Sequence, residues 1–514
     1  MFSLVTALQQ NEQKAADRLA AFDSERSRLS WRETVHSIAC AASVLAELGL
    51  REGDTFAIAA RNSFCAFQLM HAGYWLGAIP VPINTRLAAP EIAQILGHSR
   101  SRIVFIDAAL ASAFEAGPLQ RWRHRTVSLA GRSELLQADF AQAIREAPRL
   151  APCEAQDNQT ALLLYTGGTT GKAKGVPLSH RNIVGNALQV TSRLPFSQED
   201  VYLHAALMFH SADLLGTAVT LLGGAHAFLE KFTPQDFLRA VASTRVTATM
   251  LAPAMVKSVL EATDVGDWDV SSLRLLFYGS SPMPVHAIRR AMERFPTTAL
   301  TQGYGLTETS PLLTVLTMAD HQEALEQGLE QRLTSAGRAL PGVRIRITDR
   351  GGAALPQGEA GDVWVQGPNV TSGYWEAPLE TAAAIRGGWF ATGDVGRLDA
   401  DGFLTLLDRS KDMVITGGEN VYSVEVEAVL LLHPSVAEAA VVGVPDERFG
   451  EALVAVVACR AGCSLDLDEL IAHCRSRIGG YKIPRRLHQV AALPRSALGK
   501  VLKADLRRKV AAGQ

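Results

Sequence analysis

The chain has 514 residues, 47% of them hydrophobic and 20% charged, which is enough for about three compact units of ordinary size. Lysine and arginine number 50 and aspartate and glutamate 52, a formal net charge of -2. This near-balance excludes the strong basic field of a nucleic-acid or anionic-membrane binder, and six scattered cysteines exclude a disulfide framework.

At the start, Met1 to Leu8 has no basic lead and too short an apolar stretch for a signal peptide. Apolar spacing predicts a helix over Trp31 to Leu48, a strand over Thr55 to Ala60 closed by Arg61 and Asn62, a helix over Ser63 to Leu76, and further strands at Ala78 to Pro82 and Ile103 to Ile106. Strands alternating with helices imply a layered α/β domain with parallel pairing. The strand-like run Ala161 to Leu164 leads into Tyr165-Thr166-Gly167-Gly168-Thr169-Thr170-Gly171-Lys172-Ala173-Lys174-Gly175, and Ser179 to Asn182 can then start a helix. Glycines let backbone N–H groups approach an anion, threonines add hydroxyl donors and two lysines add charge, so this loop suits a polyphosphate. It is not the P-loop of nucleoside triphosphatases. That pattern needs glycine at 166 and Ser or Thr at 173, where the chain has Thr166 and Ala173.

Leu214 to Leu229 is uncharged between Asp213 and Glu230, but falls short of the roughly 20 residues that span a bilayer and contains Gly216, Gly223 and Gly224. It reads as a buried helix with a turn, and no integral membrane segment is expected. Gly361 to Gln366 and Gly402 to Leu407 read as strands of a β-rich region. Near residue 408 the texture changes to a helix around Val424 to Leu432, strands around Val436 to Val442 and Leu453 to Ala458, and a helix around Leu467 to Arg477. This places a hinge at 408–412, between a large domain at 1–408 and a small α+β domain at 409–514. Cys459, Cys463, His473 and Cys474 lie close together but lack the paired-cysteine spacing of zinc modules.

The glycine-rich loop resembles that of the adenylate-forming superfamily, which includes acyl-CoA synthetases, adenylation domains of peptide synthetases and firefly luciferase. The usual family loop is Tyr-Thr-Ser-Gly-Thr-Thr-Gly-x-Pro-Lys-Gly; Gly167 replaces the serine and Ala173 the proline. Ordered motifs from about residue 30 to 507 extend the likeness. Gly303-Tyr304-Gly305-Leu306-Thr307-Glu308-Thr309 matches the second motif, which implies that Tyr304 packs on adenine, Thr307 contacts the α-phosphate and Glu308 helps to hold Mg²⁺. Gly279, Ser280 and Ser281 resemble the border between adenine and acyl pocket. In Trp389 to Asp394, Asp394 takes the place of the ribose-binding aspartate. In Asp408 to Asp412, the resemblance puts Arg409 toward the ribose and Lys411 at the pivot. Gly417, Gly418 and Glu419 match a loop that lines the pantetheine tunnel, and Lys500 the catalytic lysine of the C-terminal segment. His210 aligns with a histidine at the wall between acyl and thiol tunnels.

The resemblance thus implies an ATP- and Mg²⁺-dependent enzyme that turns a carboxylic acid into an acyl-adenylate, releases pyrophosphate and passes the acyl group to coenzyme A. Pocket positions Phe209, Ala254, Ser280, Gly303 and Ser310 are mostly small, leaving room for an aromatic or a medium-to-long aliphatic acid. No arginine lies near Ala254 on 252–260, so a dicarboxylate is less favoured. The alternatives are transfer to a separate carrier protein and a non-catalytic nucleotide-binding homologue; the presence of Lys500, Glu308 and Asp394 opposes the second. No Gly-x-Ser-x-Gly elbow of a serine hydrolase occurs. A cytoplasmic monomer or homodimer without nucleic-acid partners is expected.

Overall fold

The computed structural model describes residues 3–23, 27–129, 139–166, 173–262, 268–281, 283–416, 419–475, 477–496 and 500–511. The chain divides into two compact units. The first holds Met1–Ile345, Val365–Phe390 and Gly402–Leu404; the second holds Arg346–Trp364, Ala391–Asp401 and Thr405–Gln514.

In the first unit, among the described residues, nine strands form one sheet. In order they are Arg338–Ala339, Thr314–Leu316, Ala299–Tyr304, Leu275–Gly279, Ala248–Leu251, Val201–His204, Ala225–Phe228, Leu19–Phe22 and Arg28–Ser30. The run from Ala299–Tyr304 to Leu19–Phe22 is parallel throughout. A second, four-stranded sheet is wholly parallel, in the order Ile79–Pro82, Thr55–Ala59, Val104–Ile106, Thr126–Ser128. Parallel strands are covered on both faces, which is why Thr55–Ala59 is an uninterrupted buried run and not an alternating one. A two-stranded hairpin pairs Thr160–Thr166 with Lys174–Ser179.

The helices begin and end where local chemistry directs. Trp31–Glu47 starts on Ser30, whose hydroxyl accepts from Glu33 N–H while the Glu33 carboxylate accepts from Ser30 N–H. Phe64–Leu76 stops at Gly77, whose φ of 79° is available at little cost only to glycine. One expectation is corrected. Leu214 to Leu229 is not a helix with a turn. It is a 3₁₀ turn at Ser211–Gly216, a short helix at Thr217–Leu222 and then a strand at Ala225–Phe228. Gly223, at φ 77°, ends the helix, and the residues beyond it find their backbone partners on Val201–His204.

The second unit begins β-rich, with Gly361–Gln366, Trp389–Leu398 and Leu404–Arg409 lying mostly within it. Its C-terminal part is a sheet in the order Glu419–Val421, Val414–Thr416, Gly450–Cys459, Val436–Asp446, with Arg486–Gln489 also pairing to Gly450–Cys459. Side chains alternate along the long hairpin. Val441, Leu453, Ala455 and Val457 pack with Val426, Leu430 and Leu470 of the helices Ser423–Leu430 and Leu467–Arg475. Val442, Val444, Val454 and Val456 pack with Leu506 and Val510 of Lys503–Ala511. Period-two burial on both faces makes this a three-layer α+β unit.

Candidate active site

Several residues expected at the site, Gly279, Ser280, Gly303 and Tyr304 among them, lie at the carboxyl ends of parallel strands, where open α/β sheets place their ligand crevices. Gly279 and Gly303 are register partners at the ends of neighbouring strands. A Cβ on Gly279 would lie 2.3 Å from the Gly303 carbonyl oxygen, so only glycine lets these strands run side by side. Ser280 follows in the left-handed region at φ 69°; it and Ser281 are exposed at the strand end. Past Tyr304 the chain makes a short 3₁₀ turn, Thr307–Thr309, pinned by the Thr309 hydroxyl, which accepts from Leu306 N–H at 2.9 Å. Thr307 Oγ1 lies 3.2 Å from Ser211 Oγ.

Thr166 and Lys174, at the two ends of the glycine-rich loop, are register partners, so the hairpin closes the loop. Gly167, Gly168, Thr169, Thr170, Gly171 and Lys172 lie outside the described residues. The Lys174 ammonium sits 4.7 Å from the centre of the Tyr374 ring. The Tyr374 hydroxyl in turn donates to Glu308 Oε1 at 3.0 Å.

The segment 368–375 escaped the sequence reading, yet it joins these parts. Asn182 Nδ2 donates to the carbonyls of Pro368 and Val370, at 2.8 and 2.9 Å. Asn369 Nδ2 donates to those of Thr309 and Leu312, both at 2.9 Å. Thr371 N–H donates to the Glu308 carbonyl at 2.8 Å, and Trp375 N–H to the Gly175 carbonyl at 2.8 Å. These side-chain bonds satisfy carbonyls of irregular backbone that no sheet or helix serves. A local sequence pattern has no way to signal partners so distant in the chain.

His210 caps the turn Ser211–Gly216, and its Nδ1 accepts from Ala212 N–H at 3.2 Å. Asn62 holds the approach to it, donating to the carbonyls of His204 and Ala206 and accepting from Met208 N–H, all within 2.9 Å. Beyond the turn, the Asp213 carboxylate meets His204 Nδ1 at 2.8 Å, and His204 Nε2 meets His226 Nδ1 at 3.0 Å. All three side chains are buried. Of the acyl-pocket positions, Phe209 and Gly303 are half-buried, Ser310 is buried, and Ala254 is exposed in the first turn of Pro253–Glu261.

In the second unit Asp394 is buried, and its Oδ1 pairs with Arg409 Nε at 2.8 Å, which joins the two residues expected at the ribose. The expected hinge is anchored on both flanks. The Asp408 carboxylate accepts from the backbone N–H of Arg409 and from Ser423, while Asp412 pairs with Arg507 at 2.6 Å. Lys503 bonds Ser423 Oγ and also pairs with Glu427 at 2.6 Å. Burial raises the Glu427 carboxyl above the usual carboxylate range, with the Lys503 charge opposing. Lys411, between these anchors, is exposed, as is Glu419 beside Thr416; Gly417 and Gly418 lie outside the described residues. Lys500 is exposed, and its carbonyl accepts from Ser496 N–H at 2.7 Å.

Among the described residues no three or more carboxylates, imidazoles and thiols gather to hold a metal ion. Cys459 contacts Gln489, and His473 Nε2 lies 2.9 Å from the Val429 carbonyl. The Glu308 carboxylate is of the kind that suits Mg²⁺, a cation commonly bound through one or two carboxylates together with substrate phosphates. Among the described residues no helix is long and apolar enough to cross a membrane.

The AMP-binding enzyme family model matches residues 8–375, and the AMP-binding enzyme C-terminal domain matches 425–500. A feruloyl-CoA synthase of Amycolatopsis sp is 35% identical over 483 residues, 94% of this chain and 94% of that protein. The ATP-bound crystal structure of MatB from Rhodopseudomonas palustris aligns with a TM-score of 0.87 at 31% identity, covering 99% of this chain and 98% of that one. O-succinylbenzoate coenzyme A synthetase (MenE) from Bacillus subtilis, in complex with ATP and magnesium ion, aligns at 0.84 and 31% identity, covering 97% and 98%. These likenesses show that the chain belongs to the AMP-binding enzyme family, as an adenylate-forming acyl-CoA synthetase that spends ATP to join a carboxylic acid to coenzyme A.

Proposed function

We propose that the acid is aromatic, with its carboxyl on a short side chain. The observation that carries this reading is the 35% identity to a feruloyl-CoA synthase across 94% of both chains. The absence of bulk at Ala254, Ser280 and Gly303 is in keeping with a flat ring. Pyrophosphate release and coenzyme A thioester formation across ferulate, cinnamate, phenylacetate, octanoate, palmitate and malonate test it. The aryl acids should give the highest kcat/KM. A preference for palmitate would replace the proposal with a fatty-acid ligase, and a preference for malonate would discard it.

The roles follow from charge. Two anions, the carboxylate and the α-phosphate, must meet in line, so positioning and charge compensation do the catalytic work. In our reading Lys500 spans carboxylate and α-phosphate oxygens, and Thr307 donates to the α-phosphate. Thr166, Gly167, Gly168, Thr169, Thr170, Gly171, Lys172 and Lys174 take the outer phosphates. Glu308 would hold Mg²⁺, which supplies positive charge to the leaving pyrophosphate. Tyr304 stacks on adenine beside Gly279, Ser280, Ser281, Gly303 and Gly305, and Asp394 with Arg409 binds the ribose hydroxyls. Phe209, Ala254 and Ser310 shape the acyl pocket, and His210 stands between it and the thiol. Gly417, Gly418 and Glu419 line the pantetheine path. The working division is 1–408 and 409–514, with Lys411 as pivot. We place the enzyme in the cytoplasm, as a monomer or homodimer, where its six free thiols stay reduced. Lys500→Ala should slow adenylation by on the order of 10²–10³ with ATP binding retained. Unchanged pyrophosphate exchange in that variant would remove Lys500 from the mechanism.

A further inference from the structure

Lys174 and Glu308 are opposite charges that both contact one aromatic residue, Tyr374. The lysine ammonium lies 4.7 Å from the Tyr374 ring centre, and the glutamate accepts the Tyr374 hydroxyl at 3.0 Å. The two charges do not form an ion pair with each other, although each contacts the same residue. Tyr374 is itself held firmly. Its N–H donates to Thr381 Oγ1 at 2.9 Å, and the neighbouring Trp375 N–H to the Gly175 carbonyl, next to Lys174. Thr371 bonds the Glu308 carbonyl through its N–H and the Pro177 carbonyl through its hydroxyl, at 2.8 and 2.7 Å. The segment therefore ties the hairpin end at 174–177 to the turn at 307–309, and Tyr374 contacts a side chain from each.

Opposite charges that contact the same residue in a half-buried setting attract one another more strongly than they would in water. A direct pair would neutralise both groups. The lysine would have less charge for a phosphate, and the carboxylate less for a cation. A ring face attracts the ammonium without consuming a carboxylate, and a phenol O–H occupies one carboxylate oxygen while leaving the other to accept. We propose that Tyr374 is a positioning residue that keeps Lys174 and Glu308 apart and separately available, Lys174 to the nucleotide phosphates and Glu308 to Mg²⁺. This rests on the roles given to those two residues above.

Three variants divide the claim. Tyr374→Phe keeps the ring contact to Lys174 and removes only the hydroxyl bond to Glu308. Tyr374→Leu removes the ring contact as well. Glu308→Gln tests the underlying role of the carboxylate. For each, calorimetric binding of ATP is measured at stepped Mg²⁺ concentrations without acid, alongside pyrophosphate exchange and the thermal midpoint. Tyr374→Phe should raise the Mg²⁺ needed for half-maximal ATP binding by about fivefold, the scale of one hydrogen bond to a charged group, with KM for ATP at saturating Mg²⁺ near the parent value. Tyr374→Leu should raise both quantities, each by about tenfold or more, as the two charges pair. If Glu308→Gln shifts the Mg²⁺ requirement but both Tyr374 variants leave it unchanged, the proposal is overturned while the carboxylate's role stands. If none of the three shifts it, both fall. A lowered thermal midpoint with loss of rate at an unchanged Mg²⁺ requirement would reduce Tyr374 to a packing residue and also overturn the proposal.

Discussion

At Gly305 a side chain has nowhere to go. A Cβ there would lie 1.9 Å from the Pro311 carbonyl oxygen and 2.9 Å from Thr309 Oγ1, and backbone on that side leaves nothing flexible to yield. Gly305→Ala must therefore displace the turn that carries Thr307 and Glu308. An error of about 1 Å in a site that works by alignment costs about 10²-fold in rate, so pyrophosphate exchange should fall by that order while far-ultraviolet circular dichroism stays unchanged. Exchange at the parent rate would show that the turn accommodates the methyl group. The same scale explains what the sequence disclosed here. A run of Gly, Tyr, Thr and Glu is a local pattern, legible without coordinates. Why Gly305 must be glycine depends on Pro311, which returns to it through a turn with Ser310 at φ 61°.

Among the elements, the strands Val201–His204 and Ala225–Phe228 and the helix Phe64–Leu76 enclose a group of histidines. His204 and His226 bond to each other and to Asp213 and Thr220 respectively, while His71 Nδ1 donates to the Phe67 carbonyl at 2.8 Å. Burial lowers His71 to about 4, with its helix carbonyl opposing and His204 adding to the effect; burial likewise lowers His180 to about 4 and depresses His226 strongly. These rings are neutral in the folded protein and protonate near pH 6.5 once unfolded, so the unfolded state binds more protons at low pH. The stability they confer is intact above about 6.5 and is lost as pH falls toward 4, by up to about 1.4 kcal/mol per pH unit for each ring. Thermal midpoints should thus drop steeply between pH 7 and pH 5. A His71→Leu variant should show a shallower drop over that interval, and an equal slope would rule His71 out as a contributor. Element types were largely readable from periodicity, because amphipathic and buried runs carry their own signature. Leu214 to Leu229 was the exception. Sixteen apolar and small residues suit either a helix or a strand, and only pairing with Val201–His204 decides for a strand beyond Gly223.

At the scale of the whole molecule, the expected pivot lies in Asp408 to Asp412. Asp408 is fastened to Ser423, and Asp412 to Arg507, leaving Lys411 between fixed points. If a dihedral change there accompanies the second half-reaction, Lys411→Pro should spare adenylation within a few-fold and slow thioester formation by about 10²-fold, because proline fixes φ. Separate assays of pyrophosphate exchange and thioester product measure the two steps, and equal effects on both would dismiss the pivot. The family and its chemistry were legible in the sequence alone, since the glycine-rich loop, the Gly303 to Glu308 motif, Asp394 and Lys500 are short strings whose residue types carry the resemblance to adenylate-forming enzymes. The tertiary structure decided contacts that those strings do not show: Tyr374 with Lys174 and with Glu308, Asn62 with Met208, and His204 with His226. The reason is physical. Each of these is a hydrogen bond or ring contact between residues far apart in the chain, so it exists only once the topology has brought them within 3 to 5 Å.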